Sequence, residues 1–281
     1  MIAIHKLGFG YGRHKLFTGL DLQLAPGGIH GLLGKNGVGK TTLLKLISGL
    51  RFAQEGVCRV WGYDPRKRSP GLLEDLYFIP EEIFVPPITM KTYESIYAPF
   101  YPRFDRSTLQ EYALEFDLDS KKKLTELSYG QKKKFLLAFG LATNCRLLLL
   151  DEPTNGLDIP SKSQFRKIMA STLTDERIII VSTHQVRDME NLIDTIIILE
   201  DGTIIFNQSI NAITERLVVQ VEHDLSAAEH VLYSSEVLGG YAVVRENIAG
   251  TESRIELETL FNAVISNRDE INRLFSREAS V

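Results

Sequence analysis

Gly34-Lys35-Asn36-Gly37-Val38-Gly39-Lys40-Thr41 has the spacing G-x-x-x-x-G-K-[ST] and directly follows the apolar run Gly28-Ile29-His30-Gly31-Leu32-Leu33. A strand, a glycine-rich loop and then a helical stretch over 42–47 point to an α/β fold whose loop cradles a polyphosphate. The glycines let successive backbone N–H groups turn inward, and the helix presents its positive end to the same anion. In such a loop Lys40 reaches the β- and γ-phosphates, and the Thr41 hydroxyl ligates Mg²⁺. The predicted nucleotide contacts are thus Gly34, Lys35, Asn36, Gly37, Val38, Gly39, Lys40, Thr41 and Thr42. A chance lysine in a glycine-rich turn is the plainer alternative, and the order of strand, loop and helix weighs against it.

Leu147-Leu148-Leu149-Leu150-Asp151-Glu152 is a second informative run. Continuous apolar residues ending in two carboxylates fit a buried parallel strand whose C-terminal tip opens at a ligand crevice. There Asp151 is placed to hold Mg²⁺, and Glu152 to orient or deprotonate the water that attacks the γ-phosphate.

Between the two lies Leu127-Ser128-Tyr129-Gly130-Gln131, ahead of an amphipathic helical stretch over 132–142 with Ser128 as its N-cap. With the loop and the acidic strand, this pentapeptide resembles the signature of the ATP-binding cassette (ABC) family. The resemblance covers about three quarters of the chain and implies ATP with Mg²⁺ as the ligands. It also implies that Ser128, Gly130 and Gln131 bind the γ-phosphate of an ATP held by the loop of another protomer. Further landmarks match by position. Tyr11 stands where the family has an aromatic stacked on adenine. Asn155-Gly156-Leu157-Asp158 resembles the loop that touches the opposite protomer. His184, in Ser182-Thr183-His184, resembles the switch histidine at the γ-phosphate, which makes it a candidate catalytic residue beside Glu152 and Lys40.

Two positions depart from the family pattern. Glutamine is usual where Tyr77-Phe78-Ile79-Pro80-Glu81-Glu82 offers Glu81, which keeps an oxygen for Mg²⁺ or water but loses the amide donor. Glycine is usual at Tyr129, so the tyrosine side chain must point away from the phosphate.

The chain has 281 residues, 44% hydrophobic and 24% charged, the profile of a globular protein. No window approaches the roughly 20 apolar residues of a membrane span, and the N-terminus lacks a secretion signal, so a cytoplasmic location is expected. Cys58 and Cys145 lack the spacing of a zinc site, and no disulfide framework is suggested. A net charge of −4 argues against general nucleic-acid affinity. The basic clusters 66–68, 121–123 and 132–134 read as solvated faces, or as contacts to lipid headgroups or a partner's loops.

Alternating strand and helix patterns over 1–210 predict a P-loop core with a mainly parallel sheet and an antiparallel N-terminal β element. A mostly helical subdomain interrupts it at about 83–143, with helical spacing at 108–116. Residues 211–281 read as a small α/β extension, with strands at 217–221 and 241–244 and helices at 227–233 and 258–266, and a dimerisation or regulatory role is expected of it. The resemblance implies the ATP-hydrolysing subunit of a membrane transporter at the inner face of the membrane. Such a subunit is a homodimer, or a heterodimer with a related ABC subunit, that drives a separate transmembrane permease, here of the bacterial export type. The alternative is a soluble ABC ATPase of cofactor assembly. A P-loop kinase or GTPase has no use for residues 127–131.

Overall fold

The computed structural model describes residues 1–185, 188–223, 230–251, 253 and 255–276. Three sheets are formed by the described strands. The first is antiparallel in the order β2-β1-β4, from β1 (Ile2–Tyr11), β2 (His14–Leu24) and β4 (Glu55–Val60). The second has the order β5-β6-β7-β3-β8-β9, from β3 (Ile29–Leu33), β5 (Leu76–Ile79), β6 (Leu147–Asp151), β7 (Ile178–Ser182), β8 (Thr195–Glu200) and β9 (Thr203–Ser209). All its pairings are parallel except β8 with β9. Every residue of β3, β6 and β7 is buried, as expected of strands covered on both faces.

Helix α1 (Lys40–Ile47) follows β3, and its Leu43, Leu44, Leu46 and Ile47 join the core shared with β1 and β2. The short α2 (Pro70–Leu73) precedes β5. Between β5 and β6 the chain forms α3 (Met90–Tyr97), α4 (Arg106–Glu115) and α5 (Tyr129–Ala142). Asp105 caps α4 by accepting from the Ser107 N–H at 2.8 Å, and Ser128 caps α5 by accepting from the Gln131 N–H at 3.2 Å. The Gln131 side chain answers by accepting from the Ser128 N–H at 3.0 Å, which completes a capping box.

The expected amphipathic character of α5 is not what the structure shows. From Phe135 to Ala142 every residue is buried, because the helix is wedged between its helical neighbours and the parallel sheet. Gly140 makes the sheet side possible: a Cβ there would stand 2.7 Å from the Tyr77 ring.

Helix α6 (Ile159–Ser171) links β6 to β7, and α7 (Ile210–Arg216) follows β9. Beyond it, β10 (Leu217–Glu222), β11 (Val231–Val237) and β12 (Gly240–Glu246) form an antiparallel sheet in the order β10-β12-β11, followed by α8 (Leu257–Ser266) and α9 (Arg268–Ser276). The helix expected over 227–233 is corrected. Residues 227–229 lie outside the described residues, and Val231–Val237 is a strand whose Val231 and Tyr233 pair with Arg245 and Val244 of β12. Its β-branched and aromatic residues suit a pleated surface better than a helix. The terminal segment packs on the core: Phe275 meets Phe206 edge-on at 5.3 Å, and Asn272 donates to the Ile205 carbonyl at 3.0 Å.

Candidate functional site

The C-terminal tips of β3 and β6, with β7 between them, open on one cavity of about 470 Å³. Tyr11, Asn36, Gly37, Gly39, Lys40, Thr41, Thr42, Glu81, Asp151, Glu152 and His184 all line it, so residues from five parts of the sequence converge. Gly39 reaches its position only as glycine: φ is +112°, and a Cβ would lie 2.8 Å from the Phe17 ring. Lys40 is buried and donates to the carbonyls of Gly34 at 2.7 Å and Lys35 at 3.2 Å. Burial lowers its pKa, against the opposing charges of Glu152, Asp151 and Glu81.

Asp151 is fixed by two hydroxyls, donated by Thr41 Oγ1 at 2.7 Å and by Ser182 of the neighbouring strand. Thr41 and Asp151 therefore offer hard oxygen donors side by side, the chemistry a Mg²⁺ ion with phosphate and water ligands requires. No group of three or more His, Cys, Asp or Glu converges on a metal position among the described residues.

Glu152 is 4% exposed and holds φ at +47°, a left-handed conformation that costs a non-glycine residue about 1–2 kcal/mol. Its two oxygens differ. Oε1 accepts from the His184 backbone N–H at 3.1 Å and faces His184 Nδ1 at 2.7 Å, whereas Oε2 is buried with no partner. An unpartnered carboxylate oxygen beside the phosphate loop can take a proton from water.

Not every predicted contact points into this cavity. Lys35 pairs with Glu200 at 2.9 Å and, with Gly34, lines a neighbouring cavity of about 640 Å³ that reaches Phe261 and Asn262 of α8. Val38 packs against the N-terminal core. Ser128, Gly130 and Gln131 do not line the cavity of their own chain. Glu81 does, with Oε1 accepting from Asn155 Nδ2 at 3.0 Å. Tyr11 is 47% exposed at the mouth, its hydroxyl 3.2 Å from Thr42 Oγ1. Tyr129 donates to the Glu81 carbonyl at 2.6 Å and covers Gly156.

Three residues of the site escaped the sequence reading. His14 and Leu16 line the mouth because the turn after Tyr11 folds β2 back, and no motif marks them. Lys133, read as part of a solvated basic face, is fully buried and donates to the main-chain carbonyl of Glu152.

The ABC transporter family profile matches residues 17–155. The ABC transporter ATP-binding protein YtrB of Bacillus subtilis is 27% identical over 99% of this chain and 91% of its own length. The Nod factor export ATP-binding protein I of Rhizobium etli is 29% identical over 89% and 78%. Sugar-import ATP-binding proteins are among the relatives as well. In fold, the chain is similar to a dimeric ATP-binding cassette solved in a post-hydrolysis state with ADP and Pi, with a TM-score of 0.66 at 20% identity over 75% of this chain and 99% of the other. With its loop, acidic strand and signature in the family's order, the chain carries over residues 17–155 an ATP-binding, ATP-hydrolysing domain of the ATP-binding cassette family.

Proposed function

We propose that this chain works as a dimer, with itself or a related subunit, that closes around two Mg·ATP and drives a separate transmembrane permease from the inner face of the membrane. Tyr11 stacks on adenine, the backbone of 34–42 and Lys40 hold the phosphates, and Ser128, Gly130 and Gln131 grip the γ-phosphate bound by the other protomer. Thr41 and Asp151, with Glu81 nearby, would hold Mg²⁺, which would supply neutralisation of charge on the phosphate oxygens. Glu152 orients and deprotonates the attacking water, and His184 holds its Oε1 in line. ATP favours the closed dimer only by its differential affinity for closed over open, and hydrolysis removes that preference. Relatives named for export and a C-terminal extension beyond the cassette support transport outward.

The observation that carries the reading is Glu152 itself: one oxygen is held by His184, the other is buried without a partner, and the side chain lines one cavity with Lys40 and Asp151. Glu152→Gln is expected to keep ATP binding and to lower steady-state ATPase by about 10²-fold or more, the scale of a lost general base. Near-normal turnover in that variant would show that another group activates the water. Co-purification with a multi-span membrane protein that stimulates the ATPase tests the transport assignment, and a soluble stimulating partner would contradict it.

A further inference from the structure

Three lysines follow the signature on α5, and only Lys133 has no exposed surface, while Lys132 and Lys134 are half-exposed. A buried ammonium needs partners to offset its lost hydration. Lys133 Nζ donates to the carbonyl of Glu152, and it lies 5.8 Å from the centre of the Tyr129 ring. Tyr129 in turn donates to the Glu81 carbonyl. Burial brings the Lys133 pKa down to about 8, with the charges of Glu81, Glu152 and Asp151 opposing. The signature helix thus reaches the backbone of the hydrolytic carboxylate through one side chain.

The peptide it grips is the strained one. Glu152 has positive φ, its N–H donates to the Ser182 carbonyl at 3.0 Å, and its own carbonyl is held by Lys133, so the residue is clamped from both sides. Lys133 stands two residues beyond Gln131 on the same helix, at a rise of about 1.5 Å per residue, so any displacement of Ser128 to Gln131 is passed on rigidly.

We propose that Lys133 is a positioning residue for Glu152, anchoring its peptide to the signature helix so that engagement of one triphosphate aligns the carboxylate that hydrolyses the other. This rests on the dimer reading above and adds a residue that reading does not contain. The step is conformational: Lys133 does not line the nucleotide cavity, and its removal loosens the Glu152 peptide, whose carbonyl keeps the Asn155 N–H at 3.2 Å.

The test uses the full-length chain and its variants Lys133→Met, Lys133→Arg, Glu152→Gln and the double K133M/E152Q. Steady-state ATPase, affinity for a fluorescent ATP analogue and thermal unfolding are measured on each. Lys133→Met is expected to lower kcat by about tenfold or more, as misplacement of a reacting group does, and to change nucleotide affinity by less than about threefold. Lys133→Arg, which can donate to the same carbonyl, is expected to recover at least about a third of kcat. In the double variant the Lys133 change adds no further loss, because both act at one carboxylate. Wild-type kcat in Lys133→Met beside an inactive Glu152→Gln would overturn the role of Lys133 and leave the base in place. A multiplied loss in the double variant, or a parallel loss of nucleotide affinity, would overturn action through Glu152. Normal hydrolysis by Glu152→Gln would remove the base assignment and this inference with it. If Lys133→Met does not unfold cooperatively, Lys133→Gln is read in its place by the same criteria.

Discussion

His30 and Glu152 each keep a buried polar atom without a hydrogen-bond partner, and the consequences differ. At Glu152 the free oxygen belongs to a side chain that lines the candidate cavity. At His30, inside β3, it faces none, and burial holds the imidazole pKa below its usual value despite the opposing pull of Asp194 and the Ala25 carbonyl. The folded protein therefore binds that proton less readily than the unfolded chain. The sign follows: stability from this residue is intact above about pH 6.5, the unfolded value, and falls as pH drops below it. The melting temperature is expected to decline between pH 7.5 and 5.5, and His30→Leu to flatten that decline; an unchanged pH slope in the variant would show that other groups cause it. At this scale the motif residues were legible because fixed spacing carries them: Lys40, Thr41, Asp151, Glu152 and His184 do meet at one cavity. Lys133 was not legible, because three consecutive lysines read as solvent-facing and only the tertiary packing of α5 turns the middle one inward.

Helix α5 shows how one element combines local and long-range causes. Its start was readable: Ser128 and Gln131 have the spacing of a capping box, and the structure forms both bonds. Its apolar second half was misjudged as one face of an amphipathic helix, since periodicity cannot reveal that both sides of a helix are covered. Phe139 is at the centre of that burial, with ring centroids 5.1 Å from Tyr93 and Phe104 and 5.8 Å from Tyr77. Phe139→Ala is expected to cost about 3–5 kcal/mol in chemical denaturation, the range for a deleted core aromatic. A loss under about 1 kcal/mol would mean that the cluster collapses around the gap. The helix expected over 227–233 fails at 231–233 for a related reason: the strand there takes its hydrogen bonds from its partner, Gly240–Glu246, a pairing that nearby sequence does not announce.

Across the whole molecule, the alternation of strands and helices foretold the parallel sheet, and the buried runs of β3 and β6 aim the phosphate loop and the two carboxylates at the same crevice. The sequence could not tell how the terminal elements sit, because that depends on packing of Phe275 on Phe206 and of Asn272 against Ile205. The signature residues lie away from the cavity of their own protomer, so the proposed site needs a second chain to complete it. Cysteines introduced at Asn36 and Ser128 in the Glu152→Gln protein measure this directly. A disulfide-linked dimer, twice the 31.7 kDa chain, is expected to form with Mg·ATP and not without nucleotide. Absence of the cross-link with saturating Mg·ATP would contradict the shared site.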